Sequence, residues 1–255
     1  MITYRTCVFC NRSDSRPTNE DIFAEWIAKQ FPEPTRSTWE AIDLDTSSRY
    51  KTKNKIGFIS NKVCKRCNNG WMAKLEDAAK PVMSPLINGS RTILSPDNQV
   101  VIAKWLIKTA AMCDILAKHP YFQAEERQAI VSGMRPANTW MFLACYRGPH
   151  IGELAARGRV YHADPNPSLD DQQKLLDPQG YALTILIKHL ALQIVSVRSS
   201  ERLPTGSRIT MPARWADASI HIPVNRDVIW PPPLVFDKDG FEEFASRWGD
   251  LGQIA

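Results

Sequence analysis

The segment NKVCKRCNNGW, residues 61–71, places Cys64 and Cys67 on either side of two intervening residues. The same spacing occurs near the N-terminus, where Cys7 and Cys10 stand in CVFC. A CxxC turn presents both of its sulfurs to one metal ion, and two such turns supply the four thiolates of a tetrahedral zinc site. The spacing therefore predicts one structural zinc ion held by Cys7, Cys10, Cys64 and Cys67.

The two cysteine pairs are separated by a long loop, residues 11–63. The entropic cost of closing a loop grows only with the logarithm of its length, and a structural zinc ion contributes on the order of 10 kcal/mol. With four sulfur ligands the ion has no open position for water, so we do not expect this zinc to be catalytic. Reduced, unligated cysteines or a redox-active pair are the alternatives that the spacing leaves open.

The composition is that of a globular protein, with 44% hydrophobic and 23% charged residues in a chain of 255, enough for one or two domains. The N-terminus lacks a basic segment followed by an apolar one, so we expect a cytoplasmic protein. In that reducing compartment, six cysteines indicate metal binding or chemistry rather than disulfides. The longest apolar run, residues 181–197, is interrupted by polar residues and predicts a buried helix, not a membrane span.

The net charge of +5 is concentrated in residues 49–66, which contain seven cations and no acidic residue. Alternating residues there predict a strand or hairpin with a cationic face, which suits the phosphate backbone of DNA or RNA. A solvated basic surface without a partner is the alternative. The predicted phosphate contacts are Arg49, Lys51, Lys53, Lys55, Lys65 and Arg66.

Helical periodicity appears at residues 22–31, ended by Pro32, and at residues 68–80, ended by Pro81. Residues 18–21 are typical of the start of the first of these helices. Further helices are predicted at 98–118, 125–132, 181–197 and 240–248. Strands are predicted at 139–146, 158–163 and 219–224.

The order C-x-x-C, then T-x-E-D-I-F-x-x-W, then N-K-V-C-K-R-C-N-N-G-W resembles the cysteine-containing branch of the HNH endonuclease family. That branch has a treble-clef or ββα-metal fold. The resemblance covers about residues 5–80. It places Glu20 at the family's acidic position, Asn61 at its middle asparagine and Asn68 at its final position, whereas Asp21 stands where the family has histidine.

The resemblance implies that Asp21 acts as a base or metal ligand, that Glu20 and Asn68 bind Mg²⁺ or Mn²⁺, and that Asn61 braces the active-site loop. A carboxylate is a weaker base than imidazole at neutral pH unless its pKa is raised. None of the five histidines lies in this segment. Without catalysis, the two acids would be first-turn residues of a helix and Asn68 a helix cap.

The sequence therefore predicts an α+β protein with a zinc-bound, treble-clef module over residues 1–80. A mixed α/β domain with two long helices follows over residues 81–255, and no role is assigned to it. We expect DNA or RNA binding, with metal-dependent phosphodiester cleavage; the resemblance implies a setting in genome defence or mobile elements. The alternative is a non-catalytic zinc module that binds nucleic acid, or a protein partner through the C-terminal domain. A small-molecule sensor in that domain is a third possibility.

Overall fold

The computed structural model describes residues 6–31, 37–43, 46–52, 58–117, 119–149, 153–161, 178–198, 215 and 217–246. For residues 43 and 46–52 it describes the backbone alone. The predicted phosphate contacts Lys53 and Lys55 lie outside the described residues.

The N-terminal elements alternate between short strands and helices. They are β1 (Pro17–Asp21), α1 (Glu25–Ala28), β2 (Ser37–Asp43), β3 (Thr46–Thr52), β4 (Ile59–Cys64), α2 (Lys65–Cys67), a π-helical turn (Asn68–Met72) and α3 (Ala73–Ile87). Strands β1 and β4 form a two-stranded antiparallel sheet that pairs Thr18 with Val63 and Glu20 with Ser60, with α1, β2 and β3 between them in the chain.

Two predicted boundaries in this region are wrong. Residues 18–21 were expected to start a helix, but they belong to β1 because β4 supplies their backbone partners, and the helix itself is reduced to Glu25–Ala28. Helix α3 continues through Pro81 and Pro85 to Ile87. Its Met83 and Leu86 are fully buried, and this packing outweighs the backbone hydrogen bonds that the prolines remove.

The C-terminal elements include five strands of one large sheet. They are β5 (Thr92–Leu94), α4 (Pro96–Asp114), α5 (Ala124–Val131), β6 (Thr139–Cys145), β7 (Leu154–Tyr161), β8 (Gly180–Ile187), β9 (Leu190–Val197), β10 (Ser219–Ile222), β11 (Val228–Trp230) and α6 (Lys238–Ser246). The helices predicted at 98–118, 125–132 and 240–248 and the strands predicted at 139–146 and 219–224 are confirmed within a few residues. Residues 158–161 of the strand predicted at 158–163 form the end of β7, and residues 162 and 163 lie outside the described residues.

The helix predicted at residues 181–197 is wrong, because these residues form the hairpin β8–β9. Lys188 adopts a positive φ of 52° at its turn. Both strands are buried along almost their whole length, so their sequence is uniformly apolar and lacks the alternation of a half-exposed strand. Of the two long helices expected after residue 80, only α4 is formed in the described residues.

The large sheet has seven strands in the order β10–β6–β9–β8–β7–β2–β3. Neighbouring strands are antiparallel except β2 and β7, which are parallel and pair Trp39 with Ala156. Because β2 and β3 come from the first 80 residues, the sheet crosses the expected domain boundary. Arg49 and Lys51 lie on the edge strand β3.

The two faces of the sheet are covered by different elements. One face, with Leu183 and Ile185, joins the main core formed with α3 and α4. The other face, with Trp140 and Tyr146, packs with Phe244 of α6. Among the helices of the described residues, none has both the length and the hydropathy required to cross a bilayer.

Candidate metal centre

The four cysteines predicted as zinc ligands meet at one point. The Sγ atoms of Cys7 and Cys67 are 3.8 Å apart, and those of Cys10 and Cys64 are 3.7 Å apart. All four sulfurs lie within 4.8 Å of one another. Zinc–sulfur bonds of about 2.3 Å in a tetrahedron separate the sulfurs by about 3.8 Å. The cluster therefore has the size and the donor atoms to hold a zinc ion.

Backbone hydrogen bonds place the first cysteine pair against the second. The Asn11 amide donates to the Cys7 carbonyl at 2.9 Å and closes the first turn, in which Asn11 has a φ of 52°. The Val8 amide donates to the Lys62 carbonyl at 3.1 Å, and the Cys64 amide donates to the Cys7 sulfur at 3.4 Å. These bonds attach the CVFC turn to β4 independently of any metal.

The thiols cannot all ionise in this arrangement without a cation. The hydrogen bond between the Cys7 and Cys67 thiols lowers the pKa of Cys7 to about 4, while the same contact and burial raise the pKa of Cys67. Burial also raises the pKa of Cys10. A divalent ion that accepts four soft donors would remove this conflict, and zinc fits that description.

Trp71 lies directly against the cysteine cluster. Its ring meets Phe9 of the CVFC turn edge-on, with centroids 5.4 Å apart. Its buried Nε1 makes no normal hydrogen bond within the described residues. The Trp71 N–H nevertheless lowers the pKa of Cys67, against the larger rise that contact with Cys7 and burial cause. An N–H group facing a ligand sulfur is suited to supporting a metal-bound thiolate.

Glu20 and Asp21, the predicted catalytic acids, end strand β1. Consecutive strand residues direct their side chains to opposite faces, so β1 separates the two carboxylates. Burial raises the pKa of Glu20 to about 7, opposed by Lys108. The Oδ1 atom of Asp21 is buried without a hydrogen-bond partner in the described residues.

The two predicted asparagines have different surroundings. The Asn68 amide donates to Thr18 Oγ1 at 3.1 Å, and the Thr18 hydroxyl donates to the Val63 carbonyl at 3.1 Å. Asn61 is exposed on β4. Within the described ranges, only the four cysteines form a cluster of three or more cysteine, histidine or acidic ligands. Among the described residues, Glu20 and Asp21 therefore do not belong to such a cluster.

A buried acidic residue that the sequence did not single out lies behind β1. The carboxylate of Glu76 accepts hydrogen bonds from Trp26 Nε1 at 2.7 Å, Trp105 Nε1 at 3.0 Å and Lys108 Nζ at 2.6 Å. Lys108, on the apolar face of α4, was the sequence signal that could have revealed it. A lysine at such a position requires a buried partner.

Lys65 and Arg66 lie on α2, between the two cysteines of the second pair, and both are exposed. No family model, curated protein or solved structure matches the chain. The comparisons therefore identify no family, and the cysteine cluster is the part of the expected HNH-like site that the structure supports.

Proposed function

We propose that the protein binds nucleic acid through a zinc-stabilised, HNH-like module. The observation that carries this proposal is the joining of three separate pieces by the cysteine cluster: the CVFC turn, the antiparallel strand pair β1–β4 and the helical segment that begins with α2. A cysteine turn, an antiparallel strand pair and then a helix with the second cysteine pair at its start are the parts expected of a treble clef, and here α1, β2 and β3 are inserted between the two strands.

The exposed cations near the cluster supply the chemistry for phosphate binding. Lys65 and Arg66 lie between Cys64 and Cys67, and the Lys65 amide donates to the Arg16 carbonyl at 2.8 Å, which brings exposed Arg16 next to them. The nearby Arg12 is paired with Asp14. Lys62 donates to the Ile115 carbonyl at 2.8 Å and is less free to contact a ligand.

A zinc ion with four thiolates carries a net charge of −2, so these cations also have a local role in balancing the cluster. The two roles differ in their dependence on salt. Each phosphate neutralised on duplex DNA contributes a slope of about −0.9 to the logarithm of affinity against the logarithm of salt concentration. Charge balance within the protein contributes no such slope.

The test is fluorescence anisotropy with labelled duplex DNA, single-stranded DNA and RNA over a series of salt concentrations. The double variant Lys65→Gln/Arg66→Gln should bind more weakly and reduce the slope on duplex DNA by about 1.8. The matched control is Lys74→Gln/Arg91→Gln, which removes an exposed lysine and arginine elsewhere. Equal slopes for all three proteins, or no binding at low salt, would contradict the proposal.

Metal-dependent phosphodiester cleavage is a second candidate, favoured by the buried Oδ1 of Asp21, which has no hydrogen-bond partner in the described part of the chain. A buried carboxylate oxygen is costly unless a donor or cation satisfies it, and Mg²⁺ or Mn²⁺ is the cation for such oxygens. Glu20, with a pKa of about 7, is poised to exchange a proton near neutral pH. Asp21 would hold the ion in this candidate, and Glu20, whose side chain leaves β1 on the opposite face, would influence the site through its charge.

Incubation of supercoiled plasmid with Mg²⁺ or Mn²⁺ tests this candidate. Nicking should be abolished by EDTA and by Asp21→Asn, and reduced by Glu20→Gln, whereas Asp77→Asn on the exposed side of α3 should behave as wild type. Nicking that survives Asp21→Asn would trace to a contaminant. Nucleic-acid binding without nicking would leave the binding module as the function.

A further inference from the structure

A cavity of about 320 Å³ lies between α3, α4, α5 and β6, within the range of about 300 to 1,000 Å³ usual for small-molecule pockets. Its walls are apolar. They include Trp71, Leu75, Ala103, Ile107, Ile130 and Met141. The last four are buried core residues, so the inner part of the cavity is fixed by the core.

The charged groups of the cavity are of one sign. Lys104 and Arg135 line it and are exposed to solvent, and none of the described residues that line it is acidic. Within the described ranges, no salt bridge involves either cation. The cavity therefore combines an apolar interior with two cations that lack an acidic partner.

The glycine at residue 133 allows Lys104 to take this position. Gly133 has a φ of 78°, and a Cβ atom there would come within 3.3 Å of both Cε and Nζ of Lys104. The end of the Lys104 side chain thus lies next to Gly133, just after α5, and a side chain at residue 133 would displace it. The ammonium group therefore lies beside the cavity.

We infer that the cavity binds a small amphipathic carboxylate, whose apolar body fills the space beside Leu75 and Met141 and whose carboxylate contacts Lys104 and Arg135. Burial of a hydrocarbon group against apolar walls is energetically favourable, and the cations favour a ligand with a negative head group. Exposed Val100 and Met134 lie at the same surface and lengthen its apolar part.

Trp71 connects the cavity to the cysteine cluster. Trp71 lines the cavity, and its ring also contacts Phe9 of the CVFC turn. A bound carboxylate would therefore touch a residue that packs on the metal centre. This contact gives the C-terminal region a role as a ligand-binding unit next to the proposed nucleic-acid-binding module.

The test uses sodium octanoate and its uncharged counterpart, octanol, in calorimetric titrations of the full chain. The variant Lys104→Gln/Arg135→Gln should weaken octanoate binding about tenfold and leave octanol unchanged, since two partly exposed ion pairs are lost. Lys80→Gln/Arg91→Gln serves as the control, since it removes the same charge at two exposed residues that do not line the cavity. Val100→Trp, at an exposed rim position, should weaken both ligands.

Saturable binding of octanoate at one site per chain, lost as described, would support the inference. Equal affinities for octanoate and octanol, or for wild type and the Lys104→Gln/Arg135→Gln variant, would overturn it. Absence of saturable binding would do the same. A dimer in sedimentation equilibrium that Val100→Trp dissociates would assign the surface to a second copy of the chain and also overturn it. None of these outcomes depends on nucleic-acid binding.

Discussion

Glu76 of α3 and Lys108 of α4 form a 2.6 Å ion pair in which the lysine side chain is 1% exposed and the glutamate side chain 13%. The indole nitrogens of Trp26 and Trp105 donate to the same carboxylate. Burial alone would raise the pKa of Glu76, but Lys108 and the two indoles outweigh it, and the net pKa is lowered. One carboxylate therefore connects α1, α3 and α4.

Removing one member of this pair should be strongly destabilising. Lys108→Met leaves the Glu76 carboxylate buried without its cation, which costs about 3 to 5 kcal/mol, whereas Glu76→Met/Lys108→Met should recover much of that loss. Urea unfolding of the variants measures the difference. The exposed pair of Lys29 and Glu25 is the control, and Lys29→Met should change stability by about 0.5 kcal/mol or less. Similar effects at both sites would refute a buried network.

The purified protein should contain one zinc ion per chain by elemental analysis. Cys64→Ser should lose the metal and lower the melting temperature, because the three pieces joined at the cluster separate. Cys113→Ala is the matched control, since Cys113 is buried in the core away from the cluster. It should keep the zinc and lose only a small amount of packing energy. Full metal content in Cys64→Ser would exclude Cys64 as a ligand.

Zinc binding should release protons and weaken as pH falls. In the metal-free cluster, contact with Cys7 and burial raise the pKa of Cys67, and burial raises that of Cys10, so these thiols hold protons that the metal must displace. Competition with a chromophoric chelator between about pH 6 and pH 8 measures the affinity. An affinity independent of pH in that range would contradict thiol ligation.

Glu20→Gln should stabilise the protein at alkaline pH. Burial raises the pKa of Glu20 from 4.5 to about 7, so the folded state holds this proton more tightly than the unfolded chain. The contribution of Glu20 to the stability of the wild type should therefore fall as pH rises from about 4.5 to about 7. Below about pH 4.5, the wild type and the Glu20→Gln variant should have similar free energies of unfolding. At pH 8 the variant should be more stable by about 1 to 2 kcal/mol, allowing for solvent screening. Urea unfolding at several pH values, with exposed Glu25→Gln as control, tests the sign.

Asp114→Ala should destabilise the end of α4. The two carboxylate oxygens accept the amides of Tyr121 and Phe122 at 2.8 and 2.9 Å, and the residue is buried. The variant leaves two buried N–H groups without an acceptor, for a cost of about 2 to 4 kcal/mol in thermal unfolding. Asp97→Ala, at the exposed start of the same helix, should cost about 0.3 to 1 kcal/mol. Equal costs would contradict the role of Asp114 as the acceptor of these two amides, because the helix dipole does not stabilise an acidic residue at the C-terminal end of α4.

Local patterns predicted the parts of the fold in which neighbouring residues specify the geometry. Helix α4 was predicted at residues 98–118 from its wide apolar face, and the structure begins it at Pro96, with the Ser95 side chain accepting from the Asn98 amide. The same reasoning failed for β8 and β9. When both faces of a sheet are covered, every position is apolar, and neither the helical nor the strand period can be recognised.

The cysteine spacing was sufficient to identify the four residues of the cluster that could hold a zinc ion, because two residues between cysteines set the local geometry of each turn. It could not show what surrounds them. The pairing of Glu76 with Lys108, the separation of Glu20 from Asp21 on β1 and the cavity beside Trp71 all join residues that are far apart in sequence or depend on strand pairing. Such contacts produce no characteristic spacing or periodicity in the sequence. They arise only when packed helices and paired strands bring distant side chains together.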